Sequence, residues 1–263
     1  MEKISFIYGD LIKFHWVDAD YAHNIELEVN WEGELEGIYE DVYEQNDKLA
    51  NVKVTTKGMY HDRTLHPYLS DLKKIEKTGI IKTEIDGVYI FSPKIFKDDR
   101  GYFYESFNEK VFNENTGLDV RFVQDNQSFS KYGTIRGLHF QKPPYAQAKL
   151  VRCVQGSVWD VAVDLRDGSP TYGKYVAVCL SENNHKQLFI PKGFAHGFSV
   201  LSETAIFQYK CDEYYHPEAE DGVAYDDPDI NVHWGISQSD RHLSYKDQYR
   251  QSFADFKSPF SVR

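Results

Sequence analysis

No apolar run in the chain approaches the roughly eighteen residues that a membrane-spanning helix needs, and Met1-Glu2-Lys3 opens no signal peptide. The expected location is therefore the cytoplasm. Cysteine is scarce too: Cys153, Cys179 and Cys211 are the only three, each inside a strand-like apolar run and without a Cys-x-x-Cys spacing. An odd number in that setting reads as buried thiols, which excludes a disulfide scaffold or a zinc ribbon. Positive charge is also short, with 30 Lys and Arg against 41 Asp and Glu and a net charge of −11. Nonspecific nucleic-acid binding, which depends on neutralising phosphates, is not expected. A small anionic ligand stays compatible where cations gather locally, and Arg100, Arg136, Lys149 and Arg152 are the candidates.

The shortage is sharpest between Lys13 and Lys48, where no Lys or Arg occurs while Asp18, Asp20, Glu26, Glu28, Glu32, Glu34, Glu36 and Glu40 accumulate. Ile25, Leu27, Val29 and Trp31 alternate there with Glu26, Glu28 and Asn30, the pattern of a half-buried strand with an acidic outer face. Residues 53–56 read as another strand, and Leu69, Leu72 and Ile75 fall at helical spacing after the break at Pro67. Residues 1–83 are thus a small acidic β or α+β appendage of no recognised role, and 84–263 a second, larger unit. The appendage histidines, His15, His23, His61 and His66, form no compact ligand motif, so no metal is expected on them.

Aromatic residues, by contrast, are abundant at 15% of the chain, with 19 Tyr and 17 Phe, which suits a β-rich core. Residues 108–115 suggest a short helix stopped near Gly117. Strand-like runs follow at 149–154, 158–165, 175–180, 187–190, 197–201 and 205–215, separated by Gln-Gly, Asp-Gly-Ser-Pro and Ser-Glu-Asn-Asn. Many short strands at this spacing predict a sandwich or closed barrel. Among them, His139 lies between Leu138 and Phe140, and Lys149 follows ten residues later in an alternating strand. A base that titrates near neutral pH beside a cation suits proton abstraction next to a carbonyl, with the cation meeting the charge that develops on oxygen.

Five stretches carry a family resemblance. Arg-Gly-Leu-His-Phe-Gln (136–141), Ala-Gln-Ala-Lys-Leu-Val-Arg (146–152), Asp-Val-Ala-Val-Asp-Leu-Arg (160–166), Gly-Ser-Pro-Thr-Tyr-Gly-Lys (168–174) and Ile-Pro-Lys-Gly-Phe-Ala-His-Gly-Phe (190–198) resemble the dTDP-4-dehydrorhamnose 3,5-epimerases, in register from about Ile85 to Trp234 and more loosely to Asp247. The resemblance implies a cupin-type jelly roll whose barrel interior is the active site. It also implies a homodimer and an isomerase without a cofactor. His139 would be the base, oriented by Asp247 in Leu243-Ser244-Tyr245-Lys246-Asp247, although the tail departs from the family pattern beyond that point. Inversion needs a second proton donor on the opposite face. Tyr209, in Phe207-Gln208-Tyr209-Lys210, stands in the family's catalytic position, and a phenol keeps its proton at neutral pH.

The same resemblance assigns Arg100 and Glu105 to the nucleotide, Arg136 and His196 to the diphosphate or sugar, and Glu220 and Lys246 as further contacts. Tyr215 occupies the place of an aromatic near the substrate. Gln124 and Asn126 line the ligand site, where amides can both donate to and accept from a thymine or sugar edge. Pro191-x-Gly193-x-x-His196 fits half of a cupin metal signature, but His139-Phe140-Gln141 stands where a His-x-His pair belongs, so a metal-free pocket is expected. The expected reaction is epimerisation of a dTDP-4-keto-6-deoxyhexose at C3, C5 or both, for deoxysugars such as rhamnose. Competing expectations are a single-carbon epimerase, a ketoisomerase on the same fold, and a sugar-nucleotide binding module without turnover.

Overall fold

The computed structural model describes residues 79–262 throughout and, before them, the backbone of strand segments alone. The chain divides into two compact units, Met1–Lys77 and Thr78–Arg263. In the first unit, Asp10–Asp18 pairs antiparallel with Tyr21–Val29, and Gly33–Glu40 with Lys48–Val54. The alternating stretch ending at Val29 is thus a strand, while Trp31, Thr55 and Thr56 lie outside the described residues. Helical spacing was expected near residues 68–77. The only described part of that stretch, Lys73–Lys74, is instead a strand paired with Ile12 and Lys13, because cross-strand hydrogen bonding outweighs a short helical pattern.

The second unit begins before residue 84: Gly79–Lys82 is hydrogen-bonded along Tyr89–Ser92 as the edge of a six-stranded sheet. From the other edge inward, that sheet runs Gln124–Lys131, Thr204–Cys211, Lys149–Gln155 and Gln187–Ile190 before reaching Tyr89–Ser92. A five-stranded sheet holds Tyr175–Ser181, Ser157–Asp164, Phe194–Val200, Ile135–Gln141 and Glu220–Gly222 in that order. All these pairs are antiparallel, and the two sheets form the jelly roll.

Three apolar layers fix this arrangement. Val151, Cys153, Val158, Ala162, Leu188, Phe198 and Phe207 fill the space between the sheets. The outer face of the five-stranded sheet buries Ile135, Leu138, Val161 and Val163 under Trp234, Phe256 and Phe260 of the C-terminal segment. The outer face of the six-stranded sheet buries Leu150 and Phe189 under Phe112 of the helix Glu109–Thr116. Asn108 caps that helix and Gly117 ends it at φ +72°, a conformation that suits glycine. Ser157–Asp164 is covered on both faces, so its text is nearly continuous apolar residue instead of alternation.

Two sequence words turn out to be structural. The buried Asp164 carboxylate accepts from Arg166 Nη2 at 2.7 Å, Ser169 Oγ at 2.6 Å and Thr171 Oγ1 at 2.6 Å, so Asp-Leu-Arg and Gly-Ser-Pro-Thr fold one turn around one acid. Burial pushes that carboxyl up, but these hydrogen bonds outweigh it and hold it below its ordinary range. Gly137 and Gly197 let neighbouring strands touch at backbone distance beside the register shift between Arg136 and His139. A Cβ on Gly197 would stand 2.9 Å from the Arg136 carbonyl oxygen and 3.1 Å from the Trp234 ring. Gly197→Ala should therefore cost about 1–3 kcal/mol by overpacking, measured as a lower urea midpoint with unchanged slope. A wild-type midpoint would show that this contact is slack.

Candidate active site

One end of the space between the sheets is apolar and the other is polar. Lys149, Val151 and Cys153 share a face of their strand, as Phe207, Tyr209 and Cys211 do of theirs, and the strands pair with Val151 opposite Tyr209 and Lys149 opposite Cys211. Val151, Cys153 and Phe207 close the apolar end. Lys149 and Tyr209 line a cavity of about 460 Å³ at the other, together with Gln124, Asn126 and, from the facing sheet, Arg136 and His139. The Lys149 ammonium lies 5.9 Å from the centroid of the Tyr209 ring.

His139 is placed by pairing on both sides, with His196 opposite it on one neighbouring strand and Gly222 on the other. Its Nε2 is hydrogen-bonded to Oδ1 of Asp247, and the other carboxylate oxygen accepts from Ser244 Oγ at 2.7 Å. Ser244 also caps the short helix Tyr245–Gln248 that carries Asp247, so one Ser-x-x-Asp unit both starts the helix and aims the carboxylate. Asp247 is 5% exposed. Burial raises its carboxyl, yet the bonds from His139 and Ser244 hold it below the usual range. For His139 burial is the largest influence and lowers its pKa; Asp247 pulls it up, and Lys149 and Arg250 push it further down.

Desolvation also lowers the Lys149 pKa, partly offset by Cys211, Asp160 and Glu220. Burial raises that of Tyr209, which keeps the phenol protonated. Opposite them, Glu220 forms the acidic wall of the cavity. Its carboxylate is held by Lys246, by Arg250 Nη2 at 2.9 Å and by Tyr215 Oη at 2.7 Å. Burial raises the Glu220 carboxyl, but Lys246, Tyr215 and Arg250 bring it down to about 2.

A family model for dTDP-4-dehydrorhamnose 3,5-epimerase matches residues 82–255. The chain belongs to this family. It is 55% identical over 177 residues, covering 67% of this chain and 97% of the relative, to the dTDP-4-dehydrorhamnose 3,5-epimerase of Shigella flexneri. Among solved structures it resembles a dTDP-6-deoxy-D-glucose-3,5-epimerase from Legionella pneumophila in complex with dTDP-4-keto-L-rhamnose. There the identity is 52% and the TM-score 0.62, over 64% of this chain and 89% of that one. A 3'-monoepimerase from Streptomyces bikiniensis, in complex with dTDP-quinovose, is 32% identical with a TM-score of 0.62, over 65% of this chain and 86% of that one.

Of the residues singled out from the sequence, Gln124, Asn126, Arg136, His139, Lys149, Tyr209, Tyr215, Glu220, Lys246 and Asp247 all line this cavity. Three do not. His196 is 8% exposed and gives its ring to Asp160, Nε2 to Oδ2 at 2.9 Å, so it sits in the wall behind the lining. Arg100 projects from the hairpin formed by Phe96–Asp98 and Gly101–Phe103 and pairs with Asp98 at 2.6 Å, its side chain 90% exposed. Glu105 lines a separate, mostly apolar depression with Ile80, Phe91, Phe96 and Phe107. Arg152, a candidate cation, is held by Gln208 at 2.8 Å and by Tyr104 at 3.2 Å and stays outside the cavity.

Gln141, Gln147 and Ser244 also line the cavity and were not singled out from the sequence. Two residues beyond His139 on the same strand, Gln141 shares its face, and the Ser-x-x-Asp spacing marks Ser244. Among the described residues, no group of three or more His, Cys, Asp or Glu side chains could hold a metal ion.

The Glu220 cluster has a pH signature. Its folded value of about 2 lies below the ordinary 4.5, so its stabilisation is complete above pH 4.5 and disappears as pH falls towards 2. Glu220→Gln should melt below the wild type at pH 7, and the gap should close across that interval in thermal melts followed by circular dichroism. A gap independent of pH would mean that the carboxylate charge stabilises nothing.

Proposed function

We infer that this protein epimerises a dTDP-4-keto-6-deoxyhexose at C3 and C5, the carbons flanking the C4 ketone. The observation that carries the reading is convergence: His139 comes to the cavity from one sheet, and Lys149 and Tyr209 from the other. Base and acid on opposite walls can serve opposite faces of one ring, which is what inversion requires. The family membership and the dTDP-4-keto-L-rhamnose bound to the Legionella relative support the substrate class.

With Nε2 engaged by Asp247, Nδ1 is the His139 nitrogen that takes the α-proton. The C–H electron pair becomes the enolate double bond, and charge moves to the C4 oxygen, where the Lys149 ammonium meets it. Tyr209 then delivers its proton to the other face and regains one from water, while the His139 imidazolium releases the abstracted proton to water. The ketone is regenerated with no net redox change. Arg136, Glu220, Lys246, Gln124 and Asn126 hold the diphosphate, sugar and base, with Tyr215 alongside.

A homodimer in the cytoplasm completes this reading. Phe96, Tyr102 and Phe103 on the Arg100 hairpin are 53%, 57% and 71% exposed, a concentration of bare aromatic surface that suits coverage by a second copy. In that arrangement Arg100 and Glu105 contribute nucleotide contacts across the subunit boundary. The three cysteines, all buried thiols, suit a reducing compartment.

In D₂O the wild type should place deuterium at both C3 and C5 of the ketosugar, read by NMR. His139→Ala should lose about 10²–10⁴ in rate, the range for a general base. Tyr209→Phe should keep exchange while losing inversion, because the proton then returns from the face it left. A wild type that binds the nucleotide sugar without any exchange would make it a binding module; product with its carbonyl at C3 would make it a ketoisomerase.

A further inference from the structure

Arg250 lies beyond Asp247 but within the matched residues 82–255, and neither the sequence reading nor the reaction sequence above uses it. Its side chain is only 11% exposed. One Nη2 bond of 2.9 Å goes to Glu220 Oε1, the oxygen also held by Lys246. Its Nε is buried with no hydrogen-bond partner in the structure. The reason is steric. Arg250 lies flat against Gly222, where a Cβ would stand 3.2 Å from Nε and 3.3 Å from Cδ. Gly222 pairs directly with His139. A buried guanidinium with an unmatched donor is costly, and it persists only where its remaining contact fixes it.

We propose that Arg250 is a positioning residue of the epimerase site, clamping Glu220 on the cavity wall and laying its charge across Gly222, beside the His139–Asp247 pair. This rests on His139 being the base. The charged and titratable groups around that ring are Asp247, Lys246 and Arg250 from the tail, Lys149 and Tyr209 from the facing sheet, Arg136 from its own strand, Glu220 from the edge strand, and His196 with Asp160 from the strands beside it. Asp247 favours the imidazolium; Lys149 and Arg250 oppose it. Removing the Arg250 charge therefore raises the His139 pKa, and the base form needs a higher pH to appear.

The test is the pH profile of kcat/KM for wild type, Arg250→Met and Arg250→Lys, with melts confirming that each is folded. Arg250→Met should move the acid limb to higher pH and raise KM about threefold to tenfold, the scale of one net hydrogen bond. Arg250→Lys should return the limb towards wild type, because it restores charge, but leave KM raised, because it lacks the fork. A folded Arg250→Met with the wild-type acid limb would overturn the proposal and leave Arg250 a packing residue. NMR titration of the His139 ring in wild type and Arg250→Met reads the same shift without turnover. It therefore separates failure of this inference from failure of the epimerase reading, which the D₂O experiment tests by itself.

Discussion

Everything at this site depends on one hydrogen bond, from the His139 imidazole to the Asp247 carboxylate. It joins the strand that carries His139 to the cavity to a short helix more than a hundred residues later, and it determines which ring nitrogen stays unengaged. Alone, the carboxylate would draw the ring towards the charged form. Burial opposes that most strongly, with Lys149 and Arg250 adding to it. A base has to be neutral before it acts and cationic afterwards, so a ring held between opposed influences is better suited than one stabilised in either state.

The division of the barrel interior follows from the same economy of space. Val151, Cys153 and Phe207 pack the region between the sheets at one end. Continuing along the same faces, Lys149 and Tyr209 replace apolar side chains with an ammonium and a phenol. Register does the rest: because side chains alternate with a period of two, no extra element is needed to bring Lys149 and Tyr209 to a common wall. The C-terminal segment has a different task. Trp234, Phe256 and Phe260 seal the outer face of the five-stranded sheet, and this seal brings Ser244, Lys246 and Asp247 back to the cavity and Arg250 to Glu220.

Legibility in the sequence tracks how local each signal is. Strands such as Gln187–Ile190 and the helix after Asn108 could be read from their own residues, because turns and caps lie next to them. Lys149 and Tyr209 could be placed by motif, and alternation put both on inward faces. His196 was assigned to the diphosphate or sugar by its place in the family motif; its partner, Asp160, lies on the neighbouring strand, a relation no linear spacing displays. Arg100 and Glu105 diverge from the cavity for a related reason, since the contacts of an exposed hairpin are not written in its turn chemistry. Arg250 carried no signal at all. Its neighbours, Glu220 and Gly222, lie on an edge strand about thirty residues earlier, and only the fold brings the tail to them.

The buried Asp160–His196 pair nonetheless bears on the reaction, through charge instead of contact. Lys149 must remain an ammonium in a setting where desolvation favours the neutral amine. Asp160 and Glu220 both oppose that loss, one from the wall behind the lining and one across the cavity. Asp160 is itself burdened by complete burial, which raises its own carboxyl, and His196 and Lys149 draw it back towards the carboxylate. Each charge therefore persists because another does. The Lys149 ammonium is thus favoured by one carboxylate on the cavity lining and one behind it, and the His196 ring, through its hydrogen bond to Asp160, acts on that ammonium without lining the cavity itself.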